Sequence, residues 1–116
     1  MSDELKSRTK LFALGIVRLY SALPKHTEAQ VPGKQMLRSG TSVGAHYREA
    51  CRARSVAEFI SKIEGGLQEL DETTYWLELL IESGNAGPGI VQPVLAEAKE
   101  LTGIFVRSAK TAKARS

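Results

Sequence analysis

The stretch from Met36 to Gly84 decides the fold, because it contains two helical patterns joined only by Arg54-Ser55. The first pattern reads MLRSGTSVGAHYREACRAR, and the second reads SVAEFISKIEGGLQELDETTYWLELLIESG. Both repeat apolar residues at spacings of three and four, which is the period of an amphipathic helix. Two long helices with so short a connection are antiparallel neighbours. The sequence therefore predicts a helix bundle.

The second pattern predicts a helix over about residues 56–83. Ser55 and Glu58 form a capping box, in which the serine side chain accepts from the amide of Glu58 and the glutamate reaches back to Ser55. Gly84 suits the position after the last turn, because glycine accepts the left-handed conformation. Thr74 is predicted to fill the one stripe position that is not aliphatic. The predicted apolar stripe is Val56, Phe59, Ile60, Ile63, Leu67, Leu70, Leu77 and Ile81.

Three further helices follow from the same periodicity and from the prolines. Pro24 ends the first helix, since the residue before a proline is pushed out of the helical region. Pro32 suits the first turn of the second helix, where a missing N–H costs nothing, and Pro93 suits the first turn of the fourth. The predicted spans are about 3–22, 32–53 and 90–110.

Small residues on the second helix indicate where a neighbour comes close. Glycine inside a helix costs about 1 kcal/mol relative to alanine, so Gly40 and Gly44 suggest that another helix backbone approaches there. A local break near residues 39–42 is the alternative. Residues 111–116 lack large apolar groups and are expected to fray as a basic tail. The 116 residues then form one all-α domain, an antiparallel up-and-down four-helix bundle.

Composition favours a soluble, cytoplasmic and non-enzymatic protein. A single cysteine, Cys51, excludes an internal disulfide framework. No signal peptide is visible, and no apolar run approaches the roughly 20 residues that span a bilayer, so no membrane partner is expected. His26 and His46 have no metal ligands at suitable spacing, so no metal and no cofactor are predicted. No nucleophile–base arrangement or phosphate-cradling glycine loop is present.

Charge is segregated along the chain. Among the charged residues of the range 33–54, only Glu49 is acidic, and among those of the range 55–84, only Lys62 is basic. No acid follows Glu100. Basic segments that flank an acidic one attract a polyanion to one face. Equally, the segments could pair their charges between neighbouring helices or subunits.

The basic residues suggest a nucleic-acid interface. Arginine suits phosphate through its planar fork, and each phosphate contact releases counterions and makes binding salt-dependent. Ordinary solvated arginines are the alternative, and only Tyr47 offers an aromatic ring near them for base stacking. No recognition helix is apparent, so sequence-specific readout is not expected. The candidates are Arg48, Arg52 and Arg54, joined by Lys62 and by Arg107, Lys110 and Lys113.

A second group of residues suggests helix or subunit contacts. Arg38, Ser42 and Glu49 fall near one helical face, and they fit either a polar recognition site or a packing role. The packing role is favoured, because a partly buried arginine needs a carboxylate partner. Trp76 and Leu80 form a second apolar edge on the third helix, which indicates self-association into a homo-oligomer.

The segment Gln35 to Leu70 resembles the bacterial four-helix-bundle family named after the 23S ribosomal RNA intervening sequence. Pro24 also falls where that family has a proline after its first helix. The family commonly shows Asn before an Ile-Ala-Glu-Gly run, whereas this chain reads HYREA over residues 46–50. The matching residues are Gln35, Arg38, Ser39, Ser42, Glu49, Arg54, Ser55, Glu58, Phe59, Leu67, Glu69 and Leu70.

The resemblance implies a ring-like homopentamer of four-helix bundles. It also implies a relation to the accessory variability protein of diversity-generating retroelements, a basic pentamer that binds nucleic acid and a reverse transcriptase. The resulting hypothesis is a non-enzymatic oligomer that binds RNA, DNA or a reverse transcriptase. The alternative is a structural or protein-interaction oligomer with no nucleic-acid partner.

Overall fold

A computed structural model describes the backbone of residues 2–116 and the side chains from residue 4 onward. The helices are α1 (Ser2–Ser21), α2 (Thr27–Cys51), α3 (Val56–Glu82) and α4 (Pro88–Arg115), and this part of the chain has no strand. Each helix packs against the next, and α1 also packs against α4, while the backbones of the diagonal pairs stay apart. The result is an up-and-down four-helix bundle of 47 × 21 × 20 Å, which confirms the predicted all-α bundle.

The core follows a regular stripe on α3, which shares Ile63, Leu70 and Leu77 with the predicted one but differs at other positions. The polar residue within the buried stripe is Thr73 rather than Thr74. The buried residues follow one another at alternating intervals of three and four from Ile63, and this spacing reaches residue 73. Leu80 is completely buried in the same stripe and is not part of a second edge. Leu67 and Ile81 flank the stripe and are only partly buried. The buried residues of α3 are Ile63, Gly66, Leu70, Thr73, Leu77 and Leu80.

A pair of buried hydroxyls joins α2 to α3 in the middle of the core. Ser39 and Thr73 are both fully buried, and their oxygens lie 2.8 Å apart in a hydrogen bond. The Ser39 hydroxyl also lies 2.9 Å from the carbonyl of Gln35, to which it donates. Both hydroxyls therefore have partners, which removes the cost of burying them.

The close approach predicted at the α2 glycines is confirmed, and α1 is the helix that approaches. A Cβ on Gly40 would lie 2.7 Å from Cγ1 of Ile16, and one on Gly44 would lie 3.1 Å from Oγ1 of Thr9. The first distance is shorter than real Cβ contacts and the second is tighter than most of them, so α1 packs closely against the glycine backbone of α2. The alternative of a break near residues 39–42 is wrong, because α2 is continuous there.

Helix α2 begins at Thr27, five residues before the predicted start. Pro32 therefore lies in the second turn, where its missing N–H leaves the carbonyl of Glu28 without its helical donor. The side-chain amide of Asn85, from the α3–α4 connection, lies 3.4 Å from that carbonyl and donates to it. A partner distant in sequence thus makes this proline tolerable, and local reasoning could not anticipate it.

Both ends of α3 follow the predicted caps, with one difference. The Ser55 hydroxyl accepts from the amide of Glu58 at 3.0 Å, whereas the Glu58 carboxylate accepts from the amide of Arg54, at 3.4 Å, rather than from Ser55. Gly84 has a φ of +75°, the left-handed conformation expected after the helix. The caps define α3 at almost its predicted limits.

Removing the cap of α3 provides a test of this local structure. Ser55→Ala is expected to lower the free energy of unfolding by about 1 kcal/mol, because the amide of Glu58 loses its acceptor. Ser55 is exposed, so no packing is lost with the hydroxyl. Urea unfolding measures the change, and Ser55→Asp, which keeps a capping oxygen, should unfold within about 0.5 kcal/mol of the wild type.

Helix α4 extends to Arg115, beyond the predicted end at residue 110. The expectation of a frayed tail from residue 111 is wrong for the backbone. Ala109 is buried and Ala112 partly buried, so the last turns still pack against the bundle. Lys113 lies 2.8 Å from a carboxylate oxygen of Glu64 on α3. A segment of small residues can remain helical without large apolar side chains when it packs against a neighbouring helix.

Candidate nucleic-acid interface

The antiparallel topology brings the separate basic segments of the chain to one end of the bundle. The end of α2, the α2–α3 connection and the end of α4 meet there, beside the beginnings of α1 and α3. We call this part of the molecule the basic end. Its lysines and arginines are Lys6, Arg8, Lys10, Arg48, Arg52, Arg54, Lys62, Arg107, Lys110, Lys113 and Arg115.

The opposite end of the bundle is acidic, because the acids of α3 are concentrated in its second half. The acids in this half of the molecule are Glu28, Glu69, Asp71, Glu72, Glu78 and Glu82, while Glu97 and Glu100 lie nearer the middle of α4 and pair with Arg8 of α1. A net charge of only +3 thus hides two ends of opposite sign, separated along a 47 Å axis. Such a separation orients a polyanion toward one end.

Two of the seven candidate residues are already in ion pairs between helices. Lys62 on α3 lies 3.2 Å from a carboxylate oxygen of Glu49 on α2, and Lys113 lies 2.8 Å from one of Glu64. All four side chains are about half exposed, so each pair contributes little to stability. These lysines are positioned by a protein carboxylate, and a phosphate would have to compete with it.

The three arginines at and after the end of α2 have no such partners. Arg48, Arg52 and Arg54 are exposed, and no other described side chain forms an ion pair with them. Arg48 and Arg52 are one helical turn apart, so their guanidinium groups share a face. Cations at a helix C-terminus also favour the helix by about 0.3–1 kcal/mol, which is the structural explanation for their position.

Helix α4 contributes Arg107 and Lys110 to the same end. Both are exposed, and among the described side chains neither is in an ion pair. Arg107 also lines an open cavity between α3 and α4 with Arg115, which the sequence analysis did not select. The signal for Arg115 was present in the basic composition of the last residues, which already pointed to Lys113.

Arg38 pairs with α3 within the chain. Its guanidinium lies 3.3 Å from Glu69 and 2.5 Å from Glu72, bridging two carboxylates one turn apart. Glu69 is only 14% exposed and has a second neighbour, since Nε2 of His46 lies 3.5 Å from its other oxygen. The cluster ties α2 to α3 and resembles a packing contact more than a recognition site.

His46 is held tightly beside this cluster. A Cβ on Gly65 would lie 2.8 Å from Nδ1 of His46, so only glycine leaves room for the imidazole. That nitrogen is buried, and no described residue accepts from it or donates to it. The contact of His46 with Glu69 could not be predicted from the sequence, because the two residues lie on different helices.

The remaining interface candidates also lie inside the chain. The Ser42 hydroxyl donates to the carbonyl of Arg38 at 2.7 Å, within its own helix. Leu80 belongs to the core, and Trp76 packs partly buried against it with its ring nitrogen buried and unpaired among the described residues. The predicted second apolar edge is therefore mostly occupied within one bundle.

An exposed aliphatic stripe lies instead on α1. Leu11, Leu14 and Val17 are 65%, 40% and 41% exposed and follow one another at intervals of three residues. Leu11 and Pro93 line a cavity of 240 Å³ at the α1–α4 seam, the most sparsely packed of the four seams. This is the surface that would bury apolar area if the protein associates with itself.

The aromatic residue near the basic end is not the one that the sequence suggests. Tyr47 is buried, with its ring 5.8 Å from that of Phe105. Phe59, predicted from the sequence to lie in the α3 stripe, is partly exposed and lines a cavity with Arg54 and Arg115. The aromatic surface that base stacking requires is therefore present, on a different residue.

The family model of the 23S rRNA-intervening sequence protein matches residues 4–107 of this chain. The chain belongs to this family. Membership accounts for the four-helix layout and confirms the resemblance seen from Gln35 to Leu70. Among curated proteins the chain has no significant match.

A solved structure of similar sequence supports both the family and the fold. It is the crystal structure of a protein with unknown function from the S23 ribosomal protein family of Bacteroides thetaiotaomicron VPI-5482. The two chains are 39% identical, the match covers 95% of this chain and 99% of the other, and the TM-score is 0.87. Because that protein's function is unknown, the geometry of this 23S rRNA-intervening sequence family member has to carry the functional argument.

The described residues show neither a metal-binding cluster nor a membrane-spanning helix. Among the described residues, no cluster of three or more His, Cys, Asp or Glu side chains could hold a metal ion. None of the helices described combines the length and apolar character that crossing a bilayer requires.

Proposed function

We propose that this chain is a non-enzymatic accessory protein that binds RNA or DNA through its basic end. The observation that carries the proposal is the group of exposed arginines Arg48, Arg52 and Arg54, which no described carboxylate neutralises. A free guanidinium offers two parallel donors to phosphate oxygens. Arg107 and Lys110 extend the same surface along α4.

We also propose that the protein works as a homo-oligomer, with the ring-like homopentamer of its family as the expected form. The exposed stripe Leu11, Leu14 and Val17 supports this proposal, because self-association would remove it from water. In a cyclic ring with bundles parallel to the axis, every copy presents its basic end on the same side. Several weak phosphate contacts would then act together on one strand.

The retroelement branch of the family adds a reverse transcriptase as a further proposed partner. Such a partner would meet the oligomer on the nucleic acid that both bind. A reverse-transcriptase gene beside this one would favour that branch, whereas a position within an rRNA gene would favour the intervening-sequence branch.

A purely structural or protein-interaction oligomer is the second candidate function. The interhelical ion pairs are compatible with it, because Arg38, Glu49 and Lys62 find partners within the bundle and so serve packing rather than nucleic-acid recognition. On this hypothesis, the arginines at the basic end stabilise helix ends and keep the protein dissolved.

Binding of RNA and DNA across a salt series, with the mass in solution measured by light scattering, tests the proposal. We expect an oligomer whose affinity falls steeply with salt, with a slope of about −0.9 per phosphate contact for duplex DNA and about −0.7 for single strands. An oligomer that binds neither nucleic acid at low salt would leave the protein-interaction function. A monomer would contradict the proposed assembly.

A further inference from the structure

Two adjoining cavities at the basic end form one groove between α3 and α4. They measure 380 and 390 Å³, and both are lined by Phe59, Ala112 and Arg115. Arg107 and Ile104 line the first cavity, and Arg54 lines the second. We call this feature the α3–α4 groove. Each half falls within the roughly 300–1,000 Å³ typical of small-ligand sites.

The groove exists because large residues on α3 face small ones on α4. Phe59 lies seven residues before Gly66 and so continues the core-facing stripe of α3 toward the basic end. On α4 the groove is lined by the small residues Ser108 and Ala112 beside Ile104. Phe59 is therefore only partly buried, and the groove has an aromatic floor.

Three arginines surround this aromatic floor. Arg54 comes from the α2–α3 connection, while Arg107 and Arg115 are eight residues apart on α4, or about 12 Å along the helix. No described side chain forms an ion pair with any of them. Of the acids near the start of α3, Glu64 pairs with Lys113, and Glu58 accepts from the backbone amide of Arg54 rather than from its guanidinium.

We propose that the α3–α4 groove binds an unpaired nucleotide of a single-stranded nucleic acid. The base stacks on Phe59, and the flanking phosphates contact Arg54, Arg107 and Arg115. An aromatic floor with a guanidinium rim suits a ligand that joins a flat π surface to phosphates. The bases of a duplex are stacked on one another and cannot reach Phe59. An acidic peptide would contact the arginines without stacking on Phe59. This inference rests on the proposed nucleic-acid function and names the ligand and the site.

The test compares two single substitutions of aromatic residues on the same helix. Fluorescence anisotropy measures binding of a 5′-phosphorylated, 3′-labelled uridylate octamer and of an RNA duplex of the same length, at one salt concentration. Phe59→Leu is expected to weaken binding of the octamer about fivefold to tenfold and that of the duplex less than twofold. Tyr75→Leu is the matched control, since Tyr75 is 55% exposed at the other end of α3, and should change neither.

A second variant keeps the test valid if Phe59→Leu disturbs the fold. Phe59→Trp preserves a stacking surface, so the octamer should bind within about twofold of the wild type. Its tryptophan emission should be quenched by the octamer more than that of the wild type, in which Trp76 alone emits. Circular dichroism of each variant checks that the helices are intact.

The alternative results separate this inference from the function on which it rests. Unchanged binding of the octamer to Phe59→Leu, with the salt-dependent affinity of the wild type intact, would overturn the groove proposal and leave the basic end as a nucleic-acid surface. Equal weakening of octamer binding and duplex binding by Phe59→Leu would also overturn the groove proposal. Binding of polyglutamate that depends on Phe59 to the same degree would assign the groove to an acidic peptide. No binding of either RNA by the wild type would overturn both proposals.

Discussion

Arg48→Glu combined with Arg52→Glu is expected to abolish retention of the protein on RNA while leaving its assembly intact. Hydrogen bonds to charged groups contribute about 1.5–3 kcal/mol each, so losing two predicts a loss of affinity of at least about a hundredfold. Repulsion between the new carboxylates and phosphate adds to this loss. The salt slope should also become shallower by about 2. Affinity is measured at several salt concentrations, and assembly by light scattering.

The control for this variant places the same charge change at the other end of the bundle. Arg18→Glu combined with Lys34→Glu alters two exposed residues of α1 and α2 far from the basic end. Its net charge equals that of the first variant, so non-specific attraction falls equally in both. A similar loss of RNA binding in the control would mean that net charge, rather than the basic end, holds the nucleic acid. Unchanged RNA binding by the first variant, or loss of its assembly, would favour the protein-interaction function.

Phe105→Ala is expected to destabilise the protein by about 3–5 kcal/mol. Phe105 is completely buried, and its ring contacts Tyr47 on α2 and lies over Gly66 on α3. Its removal leaves a cavity at the point where three helices meet, and a domain of this kind is stable by only about 5–15 kcal/mol in total. Thermal unfolding at a fixed protein concentration should show a Tm at least about 10 °C lower.

A second substitution tests whether the Phe105 ring is the cause. A Cβ on Gly66 would lie 2.6 Å from Cε2 of Phe105, so Gly66→Ala is expected to destabilise the wild type. In the Phe105→Ala protein the same methyl group enters the cavity, and the better helix propensity of alanine should stabilise by up to about 1 kcal/mol. Gly15→Ala is the control, since nothing lies within 4 Å of its Cβ position, and it should stabilise both proteins equally. Additive effects of Gly66→Ala and Phe105→Ala would contradict this packing.

The helices could be predicted from the sequence wherever a local rule was sufficient. The capping serine, Ser55, and the left-handed Gly84 act within one turn of their helix, and both are found as predicted. The start of α2 was missed because Pro32 depends on Asn85, which is more than fifty residues away in the chain. The end of α4 was missed because its alanines are held by contacts with the bundle rather than by their own hydrophobicity.

The candidate site was likewise predictable from the sequence only in part. Arginines are visible in any sequence, so Arg48, Arg52 and Arg54 could be selected without a structure. Which cations are already neutralised depends on helix register, and only the tertiary structure pairs Lys62 with Glu49 and Arg38 with Glu69. The stacking surface depends on register too, because the identity of the residue opposite an aromatic ring decides whether that ring is covered.

The sequence by itself determined four amphipathic helices, short connections and hence an up-and-down bundle, because periodicity and capping are properties of neighbouring residues. It also determined that charge occurs in blocks. Only the tertiary structure decided that these blocks become a basic end and an acidic end, that Phe59 lies open among arginines, and that α1 carries the exposed aliphatic stripe. The physical reason is that burial and ion pairing are set by what lies across a helix–helix interface, and that information is carried by residues far apart in the chain.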